Sequence, residues 1–232
     1  MARRSDDTPA RPSPWTRAAG LALVAAWVAS VFGAAGTLRW GGGWAYLVAL
    51  AAGLLVHRWY VSRRNPPLLG RRRAIGPGTK AWDLAWVAAF WPLMLLVPLV
   101  AGLDVVRCRG APLPAWCAPA GALIVGLGLA ASGWAMGENP FFEGTVRLQP
   151  GQRVVDAGPY RLLRHPGYLG LALWALGTPP FLRSRWAFLP ASLAAAWVAV
   201  RTALEDRLLM RELAGYDAYA ARVRWRLVPG LW

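Results

Sequence analysis

The charges of this chain are gathered into blocks. Between the blocks lie six stretches without a single Asp, Glu, Lys or Arg: residues 18–38, 40–56, 84–103, 118–137, 166–182 and 186–200. An α-helix needs about 20 apolar residues to cross roughly 30 Å of hydrocarbon. The first, third and fourth stretches meet that length. The second is shorter, but His57 and Trp59-Tyr60 can carry it into the headgroup layer, where amphipathic rings settle. The last two flank Arg183-Ser-Arg185, and Gly177-Thr-Pro-Pro180 interrupts the first of them, so they read as a tight hairpin of short or tilted helices. The expected fold class is all-α: a polytopic membrane helical protein with about six crossings, a tight C-terminal helical hairpin and cytoplasmic elements bound to it.

A formal net charge of +15 invites a nucleic-acid reading, which the distribution of charge argues against. With a cytoplasmic N-terminus, 21 of the 26 basic residues fall on the inner side. Only Arg39, Arg107, Arg109, Arg183 and Arg185 fall outside. This positive-inside bias supports six crossings with both termini cytoplasmic, and in a bacterial cell the membrane would be the inner one. The basic skirt then faces anionic lipid rather than nucleic acid.

Residues 1–17 are polar and proline-rich and are expected to be a disordered cytoplasmic N-terminus; the run behind them is too long for a cleaved signal. Residues 18–135 would form N-terminal membrane helices, joined at 58–83 by an irregular connector carrying Pro66-Pro67 and Gly76-Pro77-Gly78. Cys108 and Cys117 share an outer turn, where a disulfide could close it or two plain thiols could sit near the interface. No metal-ligand set is present, since His57 and His165 belong on the opposite side.

The chemistry is concentrated after residue 136. Asn139-Pro-Phe-Phe-Glu-Gly-Thr-Val-Arg147 follows the fourth apolar run, with aromatics that can anchor the interface. Gln149 to Gly158 reads as a short extended excursion that could pair as a hairpin. In Arg164-His-Pro-Gly-Tyr-Leu-Gly170, Pro166 suits the first turn of a helix, where its missing N–H costs nothing. His165 would then lie at the N-cap, beside open backbone donors that suit a carboxylate or phosphate. Tyr168 supplies a hydroxyl and a ring, and Gly170 permits close approach.

A second cluster, Arg201-Thr-Ala-Leu-Glu205-Asp206, closes the last apolar run. Arg201 and Glu205 are four apart and can share a helix face, but an exposed pair contributes only about 0.2–0.5 kcal/mol. Ionisable groups at a membrane boundary more often serve a ligand or an ion network. The helix is expected to continue over about 202–222, laying Leu208, Leu209, Tyr216 and Tyr219 across the pocket.

Together these segments resemble the isoprenylcysteine carboxyl methyltransferase and phospholipid methyltransferase superfamily of integral membrane enzymes. The resemblance covers roughly residues 136–232, which it marks as a methyltransferase core. It rests on Gly158-Pro-Tyr-Arg161, Arg164 to Gly170, Arg201 to Asp206, Gly215-Tyr216 and Val223 to Pro229. It implies S-adenosylmethionine bound between membrane helices and C-terminal elements, with Tyr160, Arg164, His165, Tyr168, Gly170, Glu205 and Asp206 at the cofactor. It implies Arg201, Glu205 and Asp206 as the catalytic residues, at positions beside cofactor and acceptor. Where the family carries Glu-Glu, this chain has Glu205-Asp206, one methylene shorter.

Methyl transfer from a sulfonium is an in-line displacement, so the protein mainly aligns the partners. A carboxylate acceptor is already ionised near pH 7 and needs no strong base, and Arg201 favours this reading. A phospholipid amine must first lose a proton, which Glu205 or Asp206 could take. The acceptor is expected to be a lipophilic small molecule or lipid. Two other classes stay open: an NADPH-dependent membrane reductase of a sterol or isoprenoid double bond, and a non-enzymatic membrane module.

Overall fold

In the computed structural model, which describes residues 14–71 and 78–232, every regular element is helical. The chain runs through α1 (Pro14–Ala35), α2 (Gly41–Arg64), a short α3 (Pro66–Arg71) and α4 (Ala81–Ala101), which passes into a π-helical turn at Gly102–Arg107. Then come α5 (Cys117–Glu138), a 3-10 turn at Gly158–Arg161, α6 (Pro166–Phe181), α7 (Phe188–Glu212) and α8 (Tyr216–Arg222). Each uncharged run thus lies mostly on a helix. By length and composition three helices are able to cross a membrane: Gly41–Arg64, Ala81–Arg107 and Cys117–Glu138. Gly20–Ala35 is a shorter apolar helix, and α6 has 16 residues. The expectations for residues 1–13 and for 72–77 of the connector lie outside the described residues.

Glycine sets the closest packing. A Cβ at Gly128 of α5 would stand 2.6 Å from the carbonyl oxygen of Gly170 in α6, and one at Gly170 would stand 2.5 Å from that of Gly128. Gly121 and Gly177 repeat the contact two turns away. Small residues let the two backbones touch, which is how helices associate when lipid removes the hydrophobic drive between them. Gly170 therefore serves the α5–α6 seam.

The core between α1, α2, α4, α6 and α7 holds Val31, Tyr46, Phe90, Met94, Val97 and Val198. Trp86 of α4 and Trp197 of α7 exchange indole-to-carbonyl hydrogen bonds of 2.7 and 3.2 Å, fixing these helices one turn from Arg201. At the far end of α4, buried Asp104 accepts from the Ser184 hydroxyl at 2.6 Å and from the Arg185 amide at 3.2 Å. This ties down the turn joining α6 to α7.

Two local expectations change, and of the two readings open for the cysteines the plain thiols are the one seen. Residues 149–157 form no strand: a turn closes through Gln152 N–H to Gln149 O, and the segment runs irregularly along the site. The helix expected over 202–222 is broken, because Gly215 takes φ +77°, a left-handed conformation that suits glycine, and α8 starts afresh after it. Cys108 and Cys117 are free thiols, the first exposed and the second buried.

Candidate active site

The site lies where the N-terminus of α4, the N-terminus of α6 and the charged end of α7 meet. As expected, α6 begins at Pro166 with His165 as N-cap. The donors around it are mostly used. His165 N–H donates to Arg226 O at 3.0 Å and Arg164 N–H to Trp225 O at 2.9 Å, docking the C-terminal segment. The Tyr168 and Leu169 amides return to His165 O. The open row of amides expected at this helix start is therefore largely closed. A side chain at Gly167 would run into the Phe142 ring, so the missing Cβ lets the 139–157 segment lie against α6.

Asp206 is the hub behind the site, 1% exposed. Its oxygens accept from Arg164 Nη1 at 2.9 Å, Arg226 Nε at 2.8 Å and the Tyr216 hydroxyl at 2.9 Å. His165 Nε2 lies 3.2 Å away. Burial alone would raise the Asp206 carboxyl, but His165, Arg226 and Tyr216 outweigh it and hold the group well below the usual carboxylate range. Burial pushes the Tyr216 hydroxyl far up, aided by the Asp206 charge, so it remains a proton donor to that carboxylate. With its oxygens saturated, Asp206 does not line the cavity, and neither does Gly170. In this structure the first holds the C-terminal segment and the second the α5–α6 seam.

Arg201 and Glu205 do line the cavity, and among the described residues they do not pair with each other. Arg201 Nε lies 2.8 Å from Oδ1 of Asp83, and Nη2 donates to Asp83 Oδ2 at 3.1 Å and to Gly144 O at 3.0 Å. Its guanidinium lies 4.3 Å from the Trp86 ring centre and 5.2 Å from that of Tyr168. Among the described residues Nη1 has no hydrogen-bond partner. Glu205 accepts a short hydrogen bond from the Tyr168 hydroxyl. Tyr168 in turn stacks near His165, with centroids 5.7 Å apart.

The 139–157 segment forms the remaining wall. Arg147 grips Glu143 with two bonds of 2.7 and 2.8 Å, and Gln149 Nε2 donates to Phe141 O at 2.7 Å. Tyr160 lines the cavity; its hydroxyl donates to Ala135 O at 3.3 Å, and its carbonyl accepts from Tyr219 at 2.8 Å. Arg164 also lines it, facing Asp206. Of the residues singled out in the sequence, Tyr160, Arg164, His165, Tyr168, Arg201 and Glu205 thus meet at one hollow. Asp83 and the Glu143–Arg147 pair were missed. A lone acid directly before the uncharged run 84–103 was the available signal for Asp83.

The donor set combines a fixed cation, a carboxylate with a second oxygen beyond its Tyr168 bond, and aromatic walls. It suits a zwitterionic ligand with a flat ring. The described residues contain no group of three His, Cys, Asp or Glu able to hold a metal. A search of curated proteins finds no match. Residues 122–211, from within α5 to the end of α7 and including His165, Tyr168, Arg201 and Glu205, match the family model of the isoprenylcysteine carboxyl methyltransferase (ICMT) family.

Proposed function

We propose that the protein transfers a methyl group from S-adenosylmethionine to the carboxylate of a lipophilic, isoprenylcysteine-like acceptor at the membrane–cytoplasm boundary. The observation that carries this reading is the separation of Arg201 from Glu205: two opposite charges on one helix face line one cavity without neutralising each other.

The residues present fit such a cofactor. Glu205 offers a carboxylate oxygen for an ammonium or ribose hydroxyls, and Phe141, Phe142, Leu209 and Tyr219 offer faces for a purine. When bound, the cofactor supplies an activated methyl group on a sulfonium. Arg201 presents Nη1, so an acceptor carboxylate can be oriented by a charge-assisted hydrogen bond. Tyr168 orients Glu205 through its hydroxyl. The 139–157 segment and α8 wall the hollow, limiting water at a step that needs alignment more than proton transfer.

The membrane arrangement belongs to the same proposal: six crossings, α6 and α7 forming the last hairpin, and both termini on the cytoplasmic side of a bacterial inner membrane. Native membranes incubated with methyl-labelled S-adenosylmethionine test the reaction. The expected product is a lipid-soluble label released by mild base, as an ester is. Label stable to base as a methylamine would move the assignment to a phospholipid amine, and absence of transfer would remove it.

A further inference from the structure

We propose that Asp83 is a positioning residue of this site, acting through Arg201 to keep Arg201 and Glu205 apart; the inference rests on the methyl-transfer reading above. Asp83 lies in the first turn of α4, outside the segment that matches the family, and is 0% exposed. A carboxylate buried there carries a large desolvation cost and persists only when paired. Its pairing is specific. Oδ1 faces Arg201 Nε, while Oδ2 accepts from Arg201 Nη2 and, at 2.7 Å, from the Val146 amide. Arg201 Nη2 also reaches Gly144 O, so one carboxylate fixes both the guanidinium and residues 144–146. The Lys80 amide, donating to Val146 O at 3.2 Å, supports the same segment from the start of α4.

The consequence concerns a competing partner. Arg201 and Glu205 are four residues apart on α7, the spacing at which a cation and an acid meet on a helix. Both are buried or half-buried, and nothing in α7 itself keeps them separate. Asp83 does so by holding the guanidinium through Nε and Nη2, with Arg201 lining the cavity. Tyr168 occupies one oxygen of Glu205 and lies beside Arg201, so it stands between the two. Without the Asp83 charge, Arg201 turns to Glu205, and cofactor site and acceptor site lose their charged groups together.

This predicts a loss and a recovery of cofactor affinity, read on the folded protein rather than as stability. Full-length protein in detergent is titrated with S-adenosylmethionine by calorimetry. Asp83→Asn is expected to weaken binding about tenfold, because Glu205 is captured. Asp83→Asn combined with Arg201→Gln, which removes the cation that captures Glu205, should recover most of that loss, whereas Arg201→Gln alone strands the buried Asp83 carboxylate and is expected to lower thermal stability. The double variant carries no unpaired buried charge from this pair, so it should fold even if Asp83→Asn alone does not. Its affinity then decides the matter. Unchanged binding in Asp83→Asn, or a double variant that binds worse than either single change or fails to fold, overturns the proposal. If the parent binds no S-adenosylmethionine, the methyl-transfer reading falls and this inference with it.

Discussion

Glu205 and Asp206 are neighbours in the chain and occupy opposite situations. Asp206 is buried under Arg164, Arg226, His165 and Tyr216, whereas Glu205 faces the cavity with Tyr168 as its partner. Removing one member of a buried, hydrogen-bonded charge pair costs about 3–5 kcal/mol, because the other charge is left uncompensated. Asp206→Asn is therefore expected to lower the thermal stability of the detergent-solubilised protein sharply, while Glu205→Gln keeps near-parent stability and binds S-adenosylmethionine more weakly. The pH dependence has a definite sign. The folded Asp206 carboxyl is held below its unfolded value, so its contribution is fully present above the ordinary carboxylate range. It is lost as pH falls toward the depressed value. The stability gap between parent and Asp206→Asn should accordingly narrow below about pH 4. A constant gap down to pH 3 would show that the charge of Asp206 is not what matters. The adjacency of two acids in sequence could not reveal this division, since a turn of 100° per residue sends one behind the helix and the other into the hollow.

At the scale of elements, helix positions were legible because uncharged runs have few other ways to be satisfied in a membrane. The start of α6 was legible too, from Pro166 at the first helical position. What was not legible depended on partners distant in sequence. The irregular path of 143–157 is set by Asp83, Arg201 and the Phe142–Gly167 contact, none of which has a local signature. The break before α8 hinges on Gly215, whose left-handed backbone is permitted but not demanded by the residue type. Gly170 was noticed for close approach, and the neighbour it approaches in this structure is Gly128 of α5. Gly170→Ala places a Cβ against the Gly128 carbonyl and is expected to cost about 1–3 kcal/mol, the usual range for overpacking. Thermal unfolding in detergent would register it, and cofactor affinity of the folded fraction should stay within about threefold. Lost affinity at unchanged stability would return Gly170 to the cofactor.

At the scale of the whole molecule, the ends of α4 divide the protein into two electrostatic environments. Asp83 at one end joins the cavity, and Asp104 at the other ties down the α6–α7 turn near Arg183 and Arg185. The proposed topology puts the first end with 21 basic residues on the cytoplasmic side and the second with five on the outer side. It also sends α6 and α7 across the membrane, although α6 has only 16 residues and spans about 24 Å at 1.5 Å per residue. A helix that short can reach across if the bilayer thins locally and the basic residues at the turn extend to the interface. Arg183 fits that role, with its guanidinium Nε donating to Leu113 O at 2.7 Å and so joining the α6–α7 turn to the segment before α5. That bond places residues 113 and 183 on one side of the membrane whichever way the chain is oriented. Reporter fusions at positions 110 and 184 should therefore both give the outer-side signal, and a fusion after position 226 the cytoplasmic one. Cytoplasmic signal from both 110 and 184 would invert the orientation while preserving the helix count. Opposite signals from those two positions would break the α6–α7 hairpin, and with it the common mouth shared by His165, Arg201 and Glu205.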